Sequence, residues 1–322
     1  MADRIFEQII SESPTLQEFV ETKNIESGHQ RIESRWRSNN DVYLLRAGDT
    51  QYVLKRVNQT TWEEDIDHQI KLWAAYPNFP PRVFIVDRGS FVMEYVPGTE
   101  LIVTLQSPYS ATQSIMQNAG GNLREIYRQQ ERYWGRGSAL SQVPYTFKYK
   151  QFNPHSEEDT FERILPQWES SLAIYPSQII HNDLNSGNAK VNANGDIRAI
   201  DPRADYFGIG DVAKDIGRLL AAVTCATHDN GYSPDETFKT TQAILEPWQD
   251  RSDNLPERIA FYAGQSYLSF SRWDTKTITK EELFLVGTHI LSKNPSVYCD
   301  LEALNQVISQ GLSTRTHRKN TV

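Results

Sequence analysis

Through the first ninety or so residues, strand-like runs of apolar residues are mixed with short helical patterns. The stretch "DVYLLRAGDTQYVLKRV" (41–57) holds two β-rich runs around Gly48-Asp49 and predicts a hairpin. Behind it, "TTWEEDIDHQIKLWAAYP" sets Ile66, Ile70 and Trp73 at helical spacing, with Thr60 and Thr61 as capping candidates and Pro77 as the stop. Two more short strands follow in "PRVFIVDRGSFVMEYVPG" (81–98), which ends in a Pro-Gly break. Residues 99–176 carry mostly helical patterns, broken by a Pro- and aromatic-containing stretch near 143–154. Residues 211–322 are again mainly helical, and a single strand-turn-strand unit lies between the two helical regions. The last residues, "STRTHRKNTV", read as a frayed tail.

These elements predict an α+β architecture: a small β-rich N-terminal lobe, residues 1–97, and a larger, mainly helical C-terminal lobe, residues 98–322. The Pro97-Gly98 break is the natural boundary. A length of 322 residues fits two lobes, and 39% hydrophobic with 11% aromatic residues predicts order almost throughout.

Charge narrows the partners. Lys plus Arg total 33 against 41 Asp plus Glu, a net −8, which disfavours nucleic acid and favours a cationic small substrate. Cys225 and Cys299 form neither a CxxC pair nor a metal-ligand spacing, so neither a disulfide framework nor a zinc site is expected. The N-terminal stretch lacks a signal-peptide pattern, and no apolar run reaches the roughly 18 residues of a membrane span. A soluble, cytoplasmic protein is expected.

The candidate chemistry sits in the strand-turn-strand unit. "IIHNDLNSGN" (179–188) packs His181, Asp183, Asn185 and Asn188 into eight residues, and "AKVNANGDIRAID" follows. Asn194-Gly195 predicts a two-residue type I′ turn. That register pairs 193 with 196, 191 with 198, and Asn188 with Asp201. Cross-strand neighbours share a face, so a carboxamide and a carboxylate would offer oxygen ligands suited to Mg²⁺. Asp183, on the loop entering the hairpin, places a second carboxylate beside them. Taken singly, each residue has a plainer role: Asn188 at a strand edge, Asp201 in a turn before Pro202, Asp183 as a cap.

"HNDLNSGN" together with "AIDPRADYFGIGDVAKDIGRL" resembles the catalytic loop and metal-binding Asp of the protein-kinase-like fold. The resemblance is to its small-molecule branch of aminoglycoside phosphotransferases, choline kinases, fructosamine kinases and methylthioribose kinases. Asp201-Pro202-Arg203 stands where protein kinases usually show Asp-Phe-Gly, and no Ala-Pro-Glu segment occurs. The resemblance covers about 38–220 and implies a bilobal kinase fold that transfers phosphate from ATP, with GTP open, to a hydroxyl of a small molecule. An antibiotic, a sugar or an amino alcohol would serve as acceptor, and antibiotic resistance and metabolism are both open. A protein kinase and a catalytically inactive nucleotide-binding scaffold are the alternatives.

The resemblance also implies roles. Asp183 accepts or orients the proton of the attacking hydroxyl, and Asn188 and Asp201 hold Mg²⁺. His181 belongs to the catalytic loop, either in the chemistry or packing the loop in place. Lys55 shares a strand face with Val53 and Val57 and would contact the ATP phosphates. Its acidic partner is expected on the next helix, where Glu63, Glu64 and Asp67 are candidates and Glu64 is preferred. "FVMEYVPG" resembles the hinge, where backbone groups near Glu94 and Val96 would meet adenine. A Gly-rich phosphate loop is missing, and Ser38, Asn39 and Asn40 in "RWRSNNDV" stand in its place as donors. Asp211 precedes a helical stripe of Val212, Ile216, Leu219, Leu220 and Val223 and reads as its N-cap, and by resemblance it would brace the catalytic loop. Arg203 would form an ion pair or touch phosphate or substrate. Among the aromatics of the acceptor region are Tyr133, Trp134, Tyr262, Tyr267, Phe270 and Trp273, for which core packing is the plainer role. No substrate motif or oligomeric state is legible.

Overall fold

The computed structural model describes residues 2–25, 30–31, 41–57, 62–87, 89–129, 157–173, 177–204, 209–250, 254–271 and 277–309. Two short helices, α1 (Ala2–Ser11) and α2 (Pro14–Thr22), precede an antiparallel sheet built from β1 (Gln30–Arg31), β2 (Asp41–Ala47), β3 (Thr50–Arg56), β4 (Val83–Asp87) and β5 (Ser90–Glu94). The strand order is β1-β2-β3-β5-β4, and α3 (Trp62–Ala75) bridges β3 to β4. The β2–β3 hairpin turns at Gly48, whose φ of +58° suits glycine.

The sheet separates two small cores. On one face, Ile9, Leu16 and Phe19 from α1 and α2 pack on Tyr43, Leu45, Tyr52, Leu54 and Val92. On the other, Val53, Phe91 and Met93 meet Ile66 of α3. Alternation along β3 therefore puts Lys55 on the α3 side with Val53, where its side chain is 11% exposed. The helix spacing predicted an inward Ile66-Ile70-Trp73 stripe. Ile70 is instead 43% exposed, and the inward face runs through Ile66, Gln69, Leu72 and Tyr76. Polar groups share that face because they bond backbone oxygens: Gln69 donates to Pro81 O at 3.0 Å, and Tyr76 Oη donates to Ile179 O at 3.0 Å.

After the sheet come β6 (Thr99–Glu100), α4 (Leu101–Thr104), α5 (Tyr109–Arg128), α6 (Glu157–Leu172), β7 (Ser177–Ile179), β8 (Ala189–Val191), β9 (Ile197–Ala199) and β10 (Ile209–Asp211). The remainder is α7 (Val212–Asp229), α8 (Pro234–Leu245), α9 (Leu255–Phe270), α10 (Lys280–Ser292) and a helical segment at 301–309. The fold is the expected α+β arrangement, a small antiparallel sheet followed by a mainly helical part. β8 pairs with β6 on one side and β9 on the other, β7 pairs with β10, and one large apolar core fills the helical part. α7 and α9 pack closely enough that a Cβ on Gly217 would meet Ile259 O at 2.7 Å. The expected buried stripe of α7 is realised in full, with Val212, Ile216, Leu219, Leu220 and Val223 all 0–1% exposed.

The predicted hairpin register is off by one. The observed pairs are Ala189 with Ala199, Lys190 with Arg198 and Val191 with Ile197. Asn192 is the reason: its Oδ1 accepts from the N–H of Asn194 and of Asp196, at 2.9 and 3.0 Å, closing a five-residue loop instead of a two-residue turn. Gly195, at φ +83°, abuts α5, and Asn118 and Asn122 of α5 donate to the loop carbonyls of Asn194 and Gly195.

Candidate active site

The β7–β8 loop carries the motif. Ile180 and His181 are fully buried, and Asn182, at φ +66°, turns the chain in a left-handed conformation that Asn tolerates better than most residues. Asp183 follows with a side chain 14% exposed. Its neighbours hold it from several sides. Asn188 Nδ2 donates to Asp183 O at 3.0 Å and to Asp183 Oδ2 at 3.2 Å, and Asn185 Nδ2 donates to Asp183 O at 3.0 Å. Arg218 of α7 pairs with Oδ1, and Arg203 Nε lies 3.6 Å from Oδ2.

Asn188 and Asp201 are not direct cross-strand partners. The slipped register sets Ile200 opposite Asn188, with Ile200 N donating to Asn188 O at 2.8 Å. Strand geometry ends at Asp201, whose φ of +57° re-aims its side chain. Asp201 Oδ1 receives Lys55 Nζ at 2.5 Å, so the lysine of the sheet meets the carboxylate of the return loop. Desolvation of its partly covered carboxyl pushes Asp201 up, but the charge and hydrogen bond of Lys55, with Arg203 behind them, leave it net below the usual carboxylate range.

The partner expected for Lys55 on α3 is therefore corrected. Glu63 and Glu64 are exposed, Asp67 pairs with Lys71 in an i,i+4 surface bridge, and the ion pair of Lys55 is to Asp201. The α3 acid turned inward is Asp65, which accepts from Ala204 N at 2.9 Å and so holds the loop that follows Asp201. His68 of the same helix donates through Nε2 to Ile180 O at 2.9 Å. Neither Asp65 nor His68 was singled out by the sequence; an acid one place along from Glu64 and a His on a buried helical face were the available signals.

His181 was expected within the catalytic set, and its surroundings make it a positioning residue. Its Nε2–H donates to Ile200 O at 3.0 Å, and Nδ1 accepts from Asp183 N at 3.3 Å, so both ring nitrogens are spent on backbone. Burial, opposed by the Asp183 charge, pushes the ring down to about 4, which keeps it neutral. The bracing acid is likewise Asp215 in place of Asp211. Asp215 Oδ2 accepts from His181 N at 2.7 Å and from Tyr127 Oη at 2.5 Å. Burial pushes this carboxyl up to about 6 against those hydrogen bonds. Asp211 instead caps α7, accepting from Ala213 N at 3.0 Å, and meets Arg258 Nε at 2.7 Å with both side chains 0% exposed.

These two shifts predict a pH signature. Between pH 6.5 and about 4 the unfolded chain binds a proton on residue 181 that the folded chain refuses, so acidification removes stability. Asp215 works the other way: the folded carboxyl takes a proton near pH 6 that the unfolded one takes only near 3.8, so acidification adds stability. A His181→Gln variant keeps only the second contribution. Its unfolding free energy, by denaturant titration, should change from pH 7 to pH 5 more favourably than the parent's by about 2 kcal/mol. Identical pH dependence in the two proteins would contradict the assignment.

The segment expected as the hinge joins the sheet to the helical part. Arg198 of β9 makes two hydrogen bonds to the Glu94 carboxylate, at 2.7 and 2.8 Å. The hydrogen bond from Arg198 is the main reason the Glu94 carboxyl lies below its ordinary range. Lys190 Nζ donates to Val96 O at 2.9 Å, while the Val96 N–H has no hydrogen-bond partner among the described residues. Gly98 follows at φ +108°, and a Cβ there would meet Val191 O at 2.7 Å. Glu100, which the sequence did not flag, holds a buried Oε2 with no hydrogen-bond partner among the described residues.

Ser38, Asn39 and Asn40, the capping candidates Thr60 and Thr61, the 143–154 stretch, Tyr133, Trp134, Trp273 and the C-terminal tail lie outside the described residues. Tyr262 and Tyr267 are core residues, 3% and 0% exposed, and the Phe270 ring lies 5.3 Å from the Arg218 guanidinium. Cys225 is buried and Cys299 exposed. Among the described residues no helix is long and apolar enough to cross a membrane.

A family model described as the phosphotransferase enzyme family, APH, matches residues 31–244. Among curated protein sequences none matches. Solved structures of the same fold include a choline/ethanolamine kinase family protein from Mesorhizobium loti, with a TM-score of 0.58 and 14% identity, covering 96% of this chain and 100% of that one. The streptomycin-ATP-APH(2")-IIa ternary complex has a TM-score of 0.51 and 12% identity, covering 84% and 90%. The ADP-bound aminoglycoside phosphotransferase APH(2'')-Ib has a TM-score of 0.50 and 12% identity, covering 92% and 97%. At these identities what is shared is the protein-kinase-like fold.

Proposed function

The chain belongs to the phosphotransferase enzyme family, and from that premise we propose that it is an ATP-dependent kinase that phosphorylates a hydroxyl of a small molecule. The observation that carries the reading is the 2.5 Å pair between Lys55 and Asp201, which brings a buried cation of the sheet together with a carboxylate of the return loop, two residues before the Arg203 that reaches Asp183. Phosphoryl transfer needs charge neutralisation and positioning more than covalent help, and this cluster has the parts for both.

Mg²⁺ fits the donor set. Asn188 spends its Nδ2 hydrogens on Asp183, which turns its Oδ1 the other way, and Asp201 keeps a side chain 44% exposed. A carboxamide oxygen and a carboxylate are hard ligands, and Mg²⁺ completes such a pair with phosphate oxygens and waters. When bound, the metal would neutralise charge on the phosphates. Lys55 would meet the α- and β-phosphates, and Asp183 would take the hydroxyl proton. His181 and Asp215 fix the backbone that aims Asp183.

The Val96 N–H suits ATP. Adenine presents N1 as an acceptor on the edge that a hinge reads, whereas guanine carries a hydrogen there. Pro97-Gly98 would be the boundary between the two lobes.

The reading predicts that Mg²⁺-ATP raises the melting temperature of the parent protein. Lys55→Ala should weaken ATP binding by roughly tenfold or more, since it removes charged hydrogen bonds to phosphate. Equal ATP affinity in parent and variant would overturn the placement of the nucleotide.

A further inference from the structure

The surroundings of Asp183 carry more positive charge than an amine acceptor would want. Arg218 pairs with Oδ1, Arg203 stands 3.6 Å from Oδ2, and Lys214, one turn before Arg218 on α7, reaches Asn182 Oδ1 at 3.0 Å. The two carboxylates at this point already face cations: Asp183 faces Arg218, and Asp201 faces Lys55. An incoming ammonium would have to displace a cation to gain a partner. An incoming anion would compete with Asp183 for Arg218, with Arg203 and Lys214, each already engaged, nearby. Arg218 is also held from a second side, with its guanidinium over the Phe270 ring at 5.3 Å and its side chain 22% exposed. Its Nε, sealed from solvent, has no hydrogen-bond partner among the described residues.

We propose that Arg218 determines specificity by taking a carboxylate or phosphate group carried by the acceptor, so that the hydroxyl to be phosphorylated belongs to an anionic small molecule. This rests on the phosphotransferase reading above and reverses the cationic acceptor that the net charge of −8 suggests. The geometry also supplies a trigger. Arg218 occupies Asp183 Oδ1, the atom that would receive the proton, and an acceptor anion draws the guanidinium off it. The hydroxyl oxygen then forms its bond to the γ-phosphorus as the bond to the β,γ-bridging oxygen breaks. ADP leaves with that electron pair, and the hydroxyl proton passes to the freed Oδ1. Without the anion, Oδ1 stays covered and ATP is spared from attack by water.

The test uses the full chain with Mg²⁺ and a non-hydrolysable ATP analogue, and four probes on one three-carbon scaffold: glycerate, glycerol 3-phosphate, glycerol and 3-amino-1,2-propanediol. Melting temperature is read at millimolar probe for the parent, Arg218→Gln and Arg218→Lys. The proposal expects glycerate or glycerol 3-phosphate to stabilise the parent, Arg218→Lys to respond less and Arg218→Gln not at all. Glycerol and the amino diol should have no effect. Comparing the two anionic probes tells a carboxylate site from a phosphate site. Where a probe is turned over, Arg218→Gln should raise its KM roughly tenfold with the KM for ATP unchanged. The proposal is overturned if no anion stabilises the parent, if the anions stabilise Arg218→Gln equally, or if the amino diol binds as well. Failure of the parent to respond to Mg²⁺-ATP alone would sink the kinase reading instead, whatever the anionic probes do.

Discussion

Replacing Asp183 by Asn is expected to lower kcat by roughly 10²- to 10⁴-fold, the range a positioned proton acceptor contributes, with ATP affinity unchanged. The substitution is nearly isosteric. An Asn at 183 still offers a side-chain oxygen to Asn188 Nδ2, and the backbone bonds from Asn185 and Asn188 to residue 183 O are untouched. Lys55 and Asp201, on which the phosphates depend in this account, pair with each other and do not use residue 183. The loss therefore belongs in the chemical step. Single-turnover kinetics at saturating ATP, together with nucleotide binding by fluorescence or calorimetry, separate the two quantities. A fall in ATP affinity matching the fall in rate would place Asp183 in nucleotide binding.

The second large effect is on stability. Arg258→Met should cost about 3–5 kcal/mol, the usual penalty for stranding one charge of a buried pair. Asp211 and Arg258 are both 0% exposed at 2.7 Å, so the carboxylate left behind has no water to turn to. Against a typical total stability of about 5–15 kcal/mol this is a large fraction. The damage would also reach the site, because Asp211 caps α7, and α7 carries both Asp215, which holds His181 N, and Arg218, which holds Asp183. Converting Asp211 to Asn in the Arg258→Met background should recover part of the loss, since a neutral amide is cheaper to bury than a lone charge. Denaturant titration of the three proteins checks the order: parent, then double variant, then Arg258→Met. A single variant as stable as the parent would contradict it.

Much of the fold was legible because local chemistry and global fold agree. Gly48-Asp49 turns the β2–β3 hairpin where the sequence places it, and the apolar stripe of α7 is buried as its spacing predicts. The loop was legible because His181, Asp183 and Asn188 are costly to gather without a use. What escaped the sequence depends on partners far along the chain. Lys55 pairs with Asp201, 146 residues on, in place of a helix acid such as Glu64 only nine residues away, since the return loop turns at Asp201 and delivers its carboxylate to the sheet. The hairpin slipped by one because the Asn192 side chain closes a wider loop than Asn194-Gly195 alone would choose. Asp211 and Asp215 lie one helical turn apart, and only packing shows that the first faces Arg258 and the second the catalytic loop. Asp65 and His68 gain their roles from loops that the sequence gives no means of docking onto α3.

The central claim is that the cluster of Lys55, Asp183, Asn188 and Asp201 transfers phosphate from ATP to a small-molecule hydroxyl. The most direct measurement is Mg²⁺-dependent ADP release by the purified protein across a panel of hydroxyl compounds, anionic, neutral and cationic, with Asp183→Asn alongside. The account predicts release that needs both Mg²⁺ and an acceptor, one phosphate gained by the acceptor for each ADP formed, and its loss in Asp183→Asn. ADP release that the acceptors do not stimulate, or that Asp183→Asn retains in full, would contradict it.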